Sequence, residues 1–145
     1  MPLPVESKEN IQESEKFKVV IFNGEGVPKA REKAIKESAI YKAGHVKLIE
    51  GKIRNVDFSS LKDRTDENTI FIISAHGNIL NGRHVMDAGA TLTDQFLNNL
   101  KDELNHNINA ILVACHGGAA LKMGKIKEGI SLVIRGSSKY RTTTN

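Results

Sequence analysis

Apolar residues in this chain gather into five short blocks separated by polar, glycine-rich punctuation. Phe17-Lys18-Val19-Val20-Ile21-Phe22 is the first, closed by Asn23-Gly24-Glu25-Gly26. His45 to Ile49 alternates polar and apolar positions, the pattern of a one-sided or edge strand. Thr69 to Ala75 and Ala110 to Ala114 are nearly unbroken apolar runs, as expected of strands buried inside a parallel sheet. Ile130 to Ile134 supplies a fifth strand. Helical spacing fills two of the intervals. From Val27 to Ala43 an apolar stripe runs through Ala30, Ala34, Ile35, Ala39 and Ile40, with Pro28 suited to the first turn and Gly44 to the cap. From Thr91 to His106, Leu92, Phe96, Leu97, Leu100 and Leu104 share a face, and Thr91 or Thr93 before Asp94 and Gln95 resembles a capped start. Asn55 to Thr65 is turn-rich, with one helical turn around Ser59 to Leu61, and a short helix is predicted through Ala119 to Leu121. Asn81-Gly82, flanked by Asn78-Ile79-Leu80 and Arg83-His84-Val85-Met86, is the strongest short hairpin signal.

Strands alternating with helices predict an α/β fold: a three-layer sandwich around a mostly parallel sheet of about five strands, with helices on both faces. Residues 1–16 are polar and charged and predict a flexible lead-in, residues 17–138 the domain, and residues 139–145 a polar tail. The length of 145 residues suits a single core.

Composition narrows the function classes only a little. Hydrophobic residues at 39% and charged residues at 26% are those of an ordinary globular domain. A formal net charge of +4 is mildly basic, but the lysines are dispersed and few aromatics interleave with them. No stacking platform for a nucleic acid is therefore expected. One cysteine excludes an internal disulfide. No apolar stretch approaches the ~20 residues of a membrane span, and the first sixteen residues carry no secretion-signal core. A cytoplasmic location is the default expectation.

The chemistry concentrates where two apolar runs end. Ile70-Phe71-Ile72-Ile73-Ser74-Ala75 leads into His76-Gly77, and Ala110-Ile111-Leu112-Val113-Ala114 leads into Cys115-His116-Gly117-Gly118. Ligands of open parallel sheets bind at the carboxyl ends of strands, so adjacency of these two strands brings a thiol beside an imidazole. A free thiol has a pKa of about 8.5 and is a few per cent thiolate at neutral pH. An imidazole neighbour raises that fraction and can later protonate a leaving amine. Backbone N–H groups at the glycine-rich turns are candidates for holding an oxyanion.

An apolar strand ending in His-Gly, then a hairpin, a helix, and an apolar strand ending in Ala-Cys resembles the caspase, clostripain, gingipain and legumain superfamily of cysteine peptidases. The likeness covers Phe17 to Ser138 in element order, and Cys115 follows His76 by 39 residues, a separation of the right order. It implies a caspase-like α/β fold, Cys115 as nucleophile, His76 as its acid/base partner, and the N–H groups of Gly77 and Cys115 as oxyanion donors. It also implies a protein or peptide substrate, no cofactor, and thioester chemistry. Loops at the ends of the first and fifth strands, with Asn23, Glu25, Ser137 and Ser138, are the implied substrate pocket. Ala114 stands where caspases place Gln, so the caspase pocket for aspartate is not implied. Caspases dimerise across their last strand, which implies a homodimer through the Ile130 to Ile134 edge as one option.

Other readings compete. The same fold without catalysis would be an interaction or scaffold module, and a flavodoxin-like nucleotide-binding domain is a third possibility. His76, Cys115, His116 and His84 could form a metal set, but tight Cys/His spacing such as C-x₂-C is missing; no metal is expected. Leu121 stands where a cysteine phosphatase needs arginine. Gly24-Glu25-Gly26 lacks the Lys-Ser/Thr ending of a P-loop and the third glycine of a dinucleotide fingerprint. His116 is expected on the far side of its turn, outside the chemistry.

Overall fold

A computed structural model describes residues 15–24, 26–87, 91–115, 117 and 125–135. Five parallel strands form the main sheet in the order β2-β1-β3-β7-β8: β1 Val19–Asn23, β2 Val46–Glu50, β3 Ile70–Ser74, β7 Ile108–Val113 and β8 Ile130–Arg135. β4 (Gly77–Leu80), β5 (Arg83–Met86) and β6 (Thr91–Leu92) form a small antiparallel sheet inserted after β3. Three α-helices, α1 Lys29–Glu37, α2 Ala39–Lys42 and α3 Thr93–Leu104, and two 3-10 turns, Ile53–Asn55 and Phe58–Leu61, complete the described chain; the second is the helical turn expected around Ser59 to Leu61.

Alternation along the strands divides the sheet into two unequal faces. One carries Val20, Phe22, Phe71, Ile73, Ala110 and Leu112, all buried, and α3 lays Phe96, Leu97, Leu100 and Leu104 onto it. Phe22 meets Phe96 edge-on with ring centroids 5.2 Å apart, a favoured aromatic geometry. Each such side chain contributes on the order of 1.5–3 kcal/mol by leaving water. The opposite face carries the cross-strand row Leu48, Ile21, Ile72, Ile111 and Val133. Its exposure rises from 8% at Ile21 to 43% at Val133. α1 stands on this side, because its Arg31 reaches Ser74, whose side chain points away from the α3 face. The α/β sandwich with a mostly parallel sheet is therefore as the strand pattern predicts.

Several boundaries differ. The predicted helix 27–43 is two helices, because Ser38 is extended at ψ 146°. Its hydroxyl donates to the Ile35 carbonyl (2.6 Å) and accepts from the Tyr41 amide (3.3 Å), closing one helix and capping the next. Pro28 precedes the first helical turn, and neither helix has a buried residue, so the stripe through Ala30 and Ala34 is not a core stripe. Thr91 and Leu92 pair with β5, and the second helix begins only at Thr93, with no side-chain cap at Leu92. The hairpin is as predicted, with Asn81 at φ 53° and Gly82 at φ 76°, both left-handed as a type I′ turn requires. β8 is an edge strand, the one to which the edge-association expectation refers. The predicted lead-in up to residue 14, the 119–121 helix and the tail lie outside the described residues.

Asp94, 4% exposed, joins three segments at the start of α3. Arg83 Nη2 donates to both carboxylate oxygens at 2.7 Å, and the Gln95 and Lys125 amides donate at 2.7 and 3.0 Å. Burial pushes its pKa up, but these amides and the guanidinium outweigh burial and hold the carboxyl below its ordinary range. A folded-state pKa below the unfolded value of about 3.9 gives stability that is complete above that pH and lost as pH falls through the folded value. Asp94→Asn is thus expected to cost about 2–3 kcal/mol at pH 7, on the scale of hydrogen bonds to charged groups. Thermal unfolding at pH 7 and pH 2.5 checks this: the gap between variant and parent must shrink at the lower pH.

Candidate functional site

β1 is the topological switch point: the chain leaves it for β2 on one side and returns to β3 on the other. A crevice at the carboxyl ends of such strands is the expected ligand site of an open α/β sheet. A cavity of 370 Å³ lies there, lined by Val27, Pro28 and Arg31 after β1, Ala75 and His76 after β3, and Val113, Ala114 and Cys115 at the end of β7. That volume falls in the range of small-ligand pockets.

Register explains why the histidine and the cysteine meet at this cavity. Ser74 and Val113 are partners across the β3–β7 ladder, and the Ala75 amide extends it to the Val113 carbonyl at 3.1 Å. His76 and Cys115 each stand two residues beyond this last pair. Ala75 and Ala114 between them turn into the α3-side core. Both His76 and Cys115 are exposed. Among the described residues no hydrogen bond joins the two side chains.

Each is held from behind. His76 Nε2 lies 3.0 Å from the Gly26 carbonyl. A carbonyl only accepts, so Nε2 carries the hydrogen, and in the neutral ring the lone pair is on Nδ1. Cys115 is held through its backbone. His84, 4% exposed, donates from Nε2 to the Cys115 carbonyl at 2.9 Å, and its Nδ1 lies 2.6 Å from Thr93 Oγ1. His84 therefore ties the hairpin, the start of α3 and the cysteine turn together. Gly77 packs against the same carbonyl: a Cβ there would lie 2.4 Å from Cys115 O and 2.7 Å from His84 Nε2.

The remaining expectations resolve unevenly. Asn23 is 5% exposed and does not line the cavity, and its Oδ1 is buried with no hydrogen-bond partner among the described residues. Glu25, His116, Ser137 and Ser138 lie outside the described residues. Among the described residues no three His, Cys, Asp or Glu side chains are gathered as a metal-ligand set, and His84 is engaged as above. No helix among the described residues is long and apolar enough to cross a membrane. Two residues at the site are not readable from the local sequence. Arg31 in the first turn of α1 lines the cavity and donates from Nη1 to Ser74 Oγ, and His84, a candidate ligand in the metal set, instead anchors the cysteine turn through the Cys115 carbonyl. The one available signal for Arg31 was its place just after a strand-end loop. Comparison with family models, curated proteins and solved structures finds no match.

Proposed function

We propose that this protein is a cysteine endopeptidase of the caspase, clostripain, gingipain and legumain type, acting through a Cys115/His76 dyad. The observation that carries the reading is the placement of a thiol and an imidazole at equivalent positions beyond paired strand ends, both on one cavity at the switch point. In this mechanism Cys115 Sγ passes its proton to His76 Nδ1 and attacks the carbonyl carbon of the substrate. The resulting oxyanion takes hydrogen bonds from the N–H groups of Gly77 and Cys115. Collapse breaks the C–N bond, His76 returns the proton to the departing amine, and a thioester remains. Water, losing a proton to His76, then releases the acid and restores the thiol. The Gly26 carbonyl supports this role for His76 by holding the ring through Nε2 and by stabilising the imidazolium once it forms. No cofactor enters, and the substrate is a protein or peptide.

Iodoacetamide alkylation at pH 6 tests the dyad without a known substrate. Cys115 is expected to react at least about tenfold faster than a free-thiol peptide, because an imidazole on the same cavity can take the thiol proton as the sulfur attacks. His76→Ala is expected to bring the rate to that of the reference. Equal rates for parent and reference would instead favour the non-catalytic scaffold reading of the same fold.

A further inference from the structure

A second cavity, of 240 Å³, lies apart from the dyad and shares no lining residue with the first. Ile53, Val56 and Phe58, from the segment after β2, form one side of it, and Gln95, Phe96 and Asn99 of α3 form the other. Its apolar part is built on an aromatic cluster. Phe58 and Phe96 meet edge to face with centroids 5.5 Å apart, and Phe22 meets them in the same way at 6.2 and 5.2 Å. Rings in this arrangement present both faces and edges, and a further ring adds to them favourably. Ile53, 2% exposed, and half-buried Val56 extend the apolar wall.

The polar part is uncharged. Gln95 and Asn99 stand four residues apart on α3 and are therefore neighbours on its surface. Both are exposed, and among the described residues neither carboxamide makes a hydrogen bond. Thr91, also on the cavity, directs its hydroxyl hydrogen to Asp87 at 3.4 Å and keeps its lone pairs. Each carboxamide offers an acceptor beside two donors. No charged side chain is among the described residues lining the cavity. An ionised ligand would lose water there with no opposite charge to meet it.

We propose that this cavity binds a neutral aromatic ring carrying an amide or lactam edge. The ring lies against Phe58 and Phe96, and its N–H and C=O pair with the carboxamides of Gln95 and Asn99. A volume just under that of drug-sized pockets suits one such ring. The assignment is independent of the peptidase reading and gives the chain a second, separate binding site.

The test titrates the isotope-labelled full chain with benzamide and follows the backbone amides of Gln95, Phe96 and Asn99 by NMR. Nicotinamide and uracil carry the same kind of edge on other rings. Benzoate and benzylamine keep the ring of benzamide and replace its amide by a charge. Benzamide is expected to saturate with a Kd of about 1 mM, as so few atoms allow. Benzoate and benzylamine are expected to bind at least about tenfold more weakly. Because Gln95 and Asn99 are exposed, Gln95→Leu and Asn99→Leu are expected to fold as the parent does. Each is expected to weaken benzamide at least about threefold, on the scale of one lost hydrogen bond. Equal binding of benzoate, undiminished affinity in the double variant, or no saturation by any neutral ring overturns the assignment. Tighter binding of N-acetylphenylalaninamide than of every free ring would make the occupant a peptide side chain and overturn it as well.

Discussion

On the proposed dyad, Cys115→Ala is expected to abolish peptide hydrolysis while moving the thermal midpoint by no more than about 1 °C, as an exposed substitution should. The side chain is exposed at the end of β7, so its sulfur contributes little buried surface. A cysteine in the core would behave differently, since removing a buried group costs its transfer free energy and leaves a cavity. His76→Ala is expected to lower kcat/KM by about 10²–10⁴-fold, the usual range for a positioned acid/base, with a small loss of stability from the missing bond to Gly26. Hydrolysis of a fluorogenic peptide library and a thermal melt, run on the same preparations, read both quantities. Activity surviving in Cys115→Ala would remove the nucleophile assignment. Inactivity accompanied by a drop of several degrees would make the residue structural.

Gly77→Ala is expected to damage both stability and activity, because the space beside Gly77 is already filled. Its added methyl would sit 2.4 Å from the Cys115 carbonyl oxygen, 2.7 Å from His84 Nε2 and 3.0 Å from Ala114 Cβ. None of these is the loose end of a flexible side chain. One is backbone, one is a buried ring fixed at both nitrogens, and one belongs to the core. Gly77 is not among the positive-φ glycines, so crowding and not torsion demands the missing side chain. Overpacking of this kind costs about 1–3 kcal/mol. Whichever partner yields, the cysteine turn moves relative to His76, and hydrolysis is expected to fall at least about a hundredfold. Gly82→Ala is the matched control. At φ 76° with nothing near its Cβ position, it pays about 1–2 kcal/mol in backbone strain and leaves the rate per folded molecule unchanged. Equal activity of Gly77→Ala and Gly82→Ala would show that the Gly77–Cys115 contact is not needed.

How much of this was legible in the chain follows the range of the forces involved. β3 and β7 announce themselves by consecutive apolar residues, although only Phe71, Ile73, Ala110 and Leu112 on the α3 side are fully buried and Ile72 and Ile111 opposite them are half-buried; Asn81-Gly82 does so because such residues readily accept two left-handed conformations in succession. α3 was visible from Phe96, Leu97, Leu100 and Leu104, all of which face one core. Its first turn was misread because Thr91 and Leu92 satisfy their backbone across the hairpin, a long-range choice that local capping signals do not encode. Ser38 likewise interrupts a continuous helical pattern, using a hydroxyl that serves two helix ends at once. At the site, His76 and Cys115 were legible from glycine following a strand. Arg31 and His84 were not, because their roles depend on Ser74 and on the Cys115 carbonyl, 43 and 31 residues away in sequence.

α1 carries no buried residue, and this sets an order in which the molecule comes apart. Cooperative units open with free energies that track how much apolar surface they bury. The α3 side, with its packed phenylalanines and leucines, belongs to the last unit to open. α1 and the turn leading into it belong to an early one, yet that segment carries Arg31 and the Gly26 carbonyl that holds His76. Mild denaturant or modest heating is therefore expected to open the α1 wall of the cavity and free the imidazole while the sheet and its α3 core persist. On the proposed dyad, the operating range of the site is expected to be narrower than the melting curve of the fold, set by a surface helix and not by the hydrophobic interior.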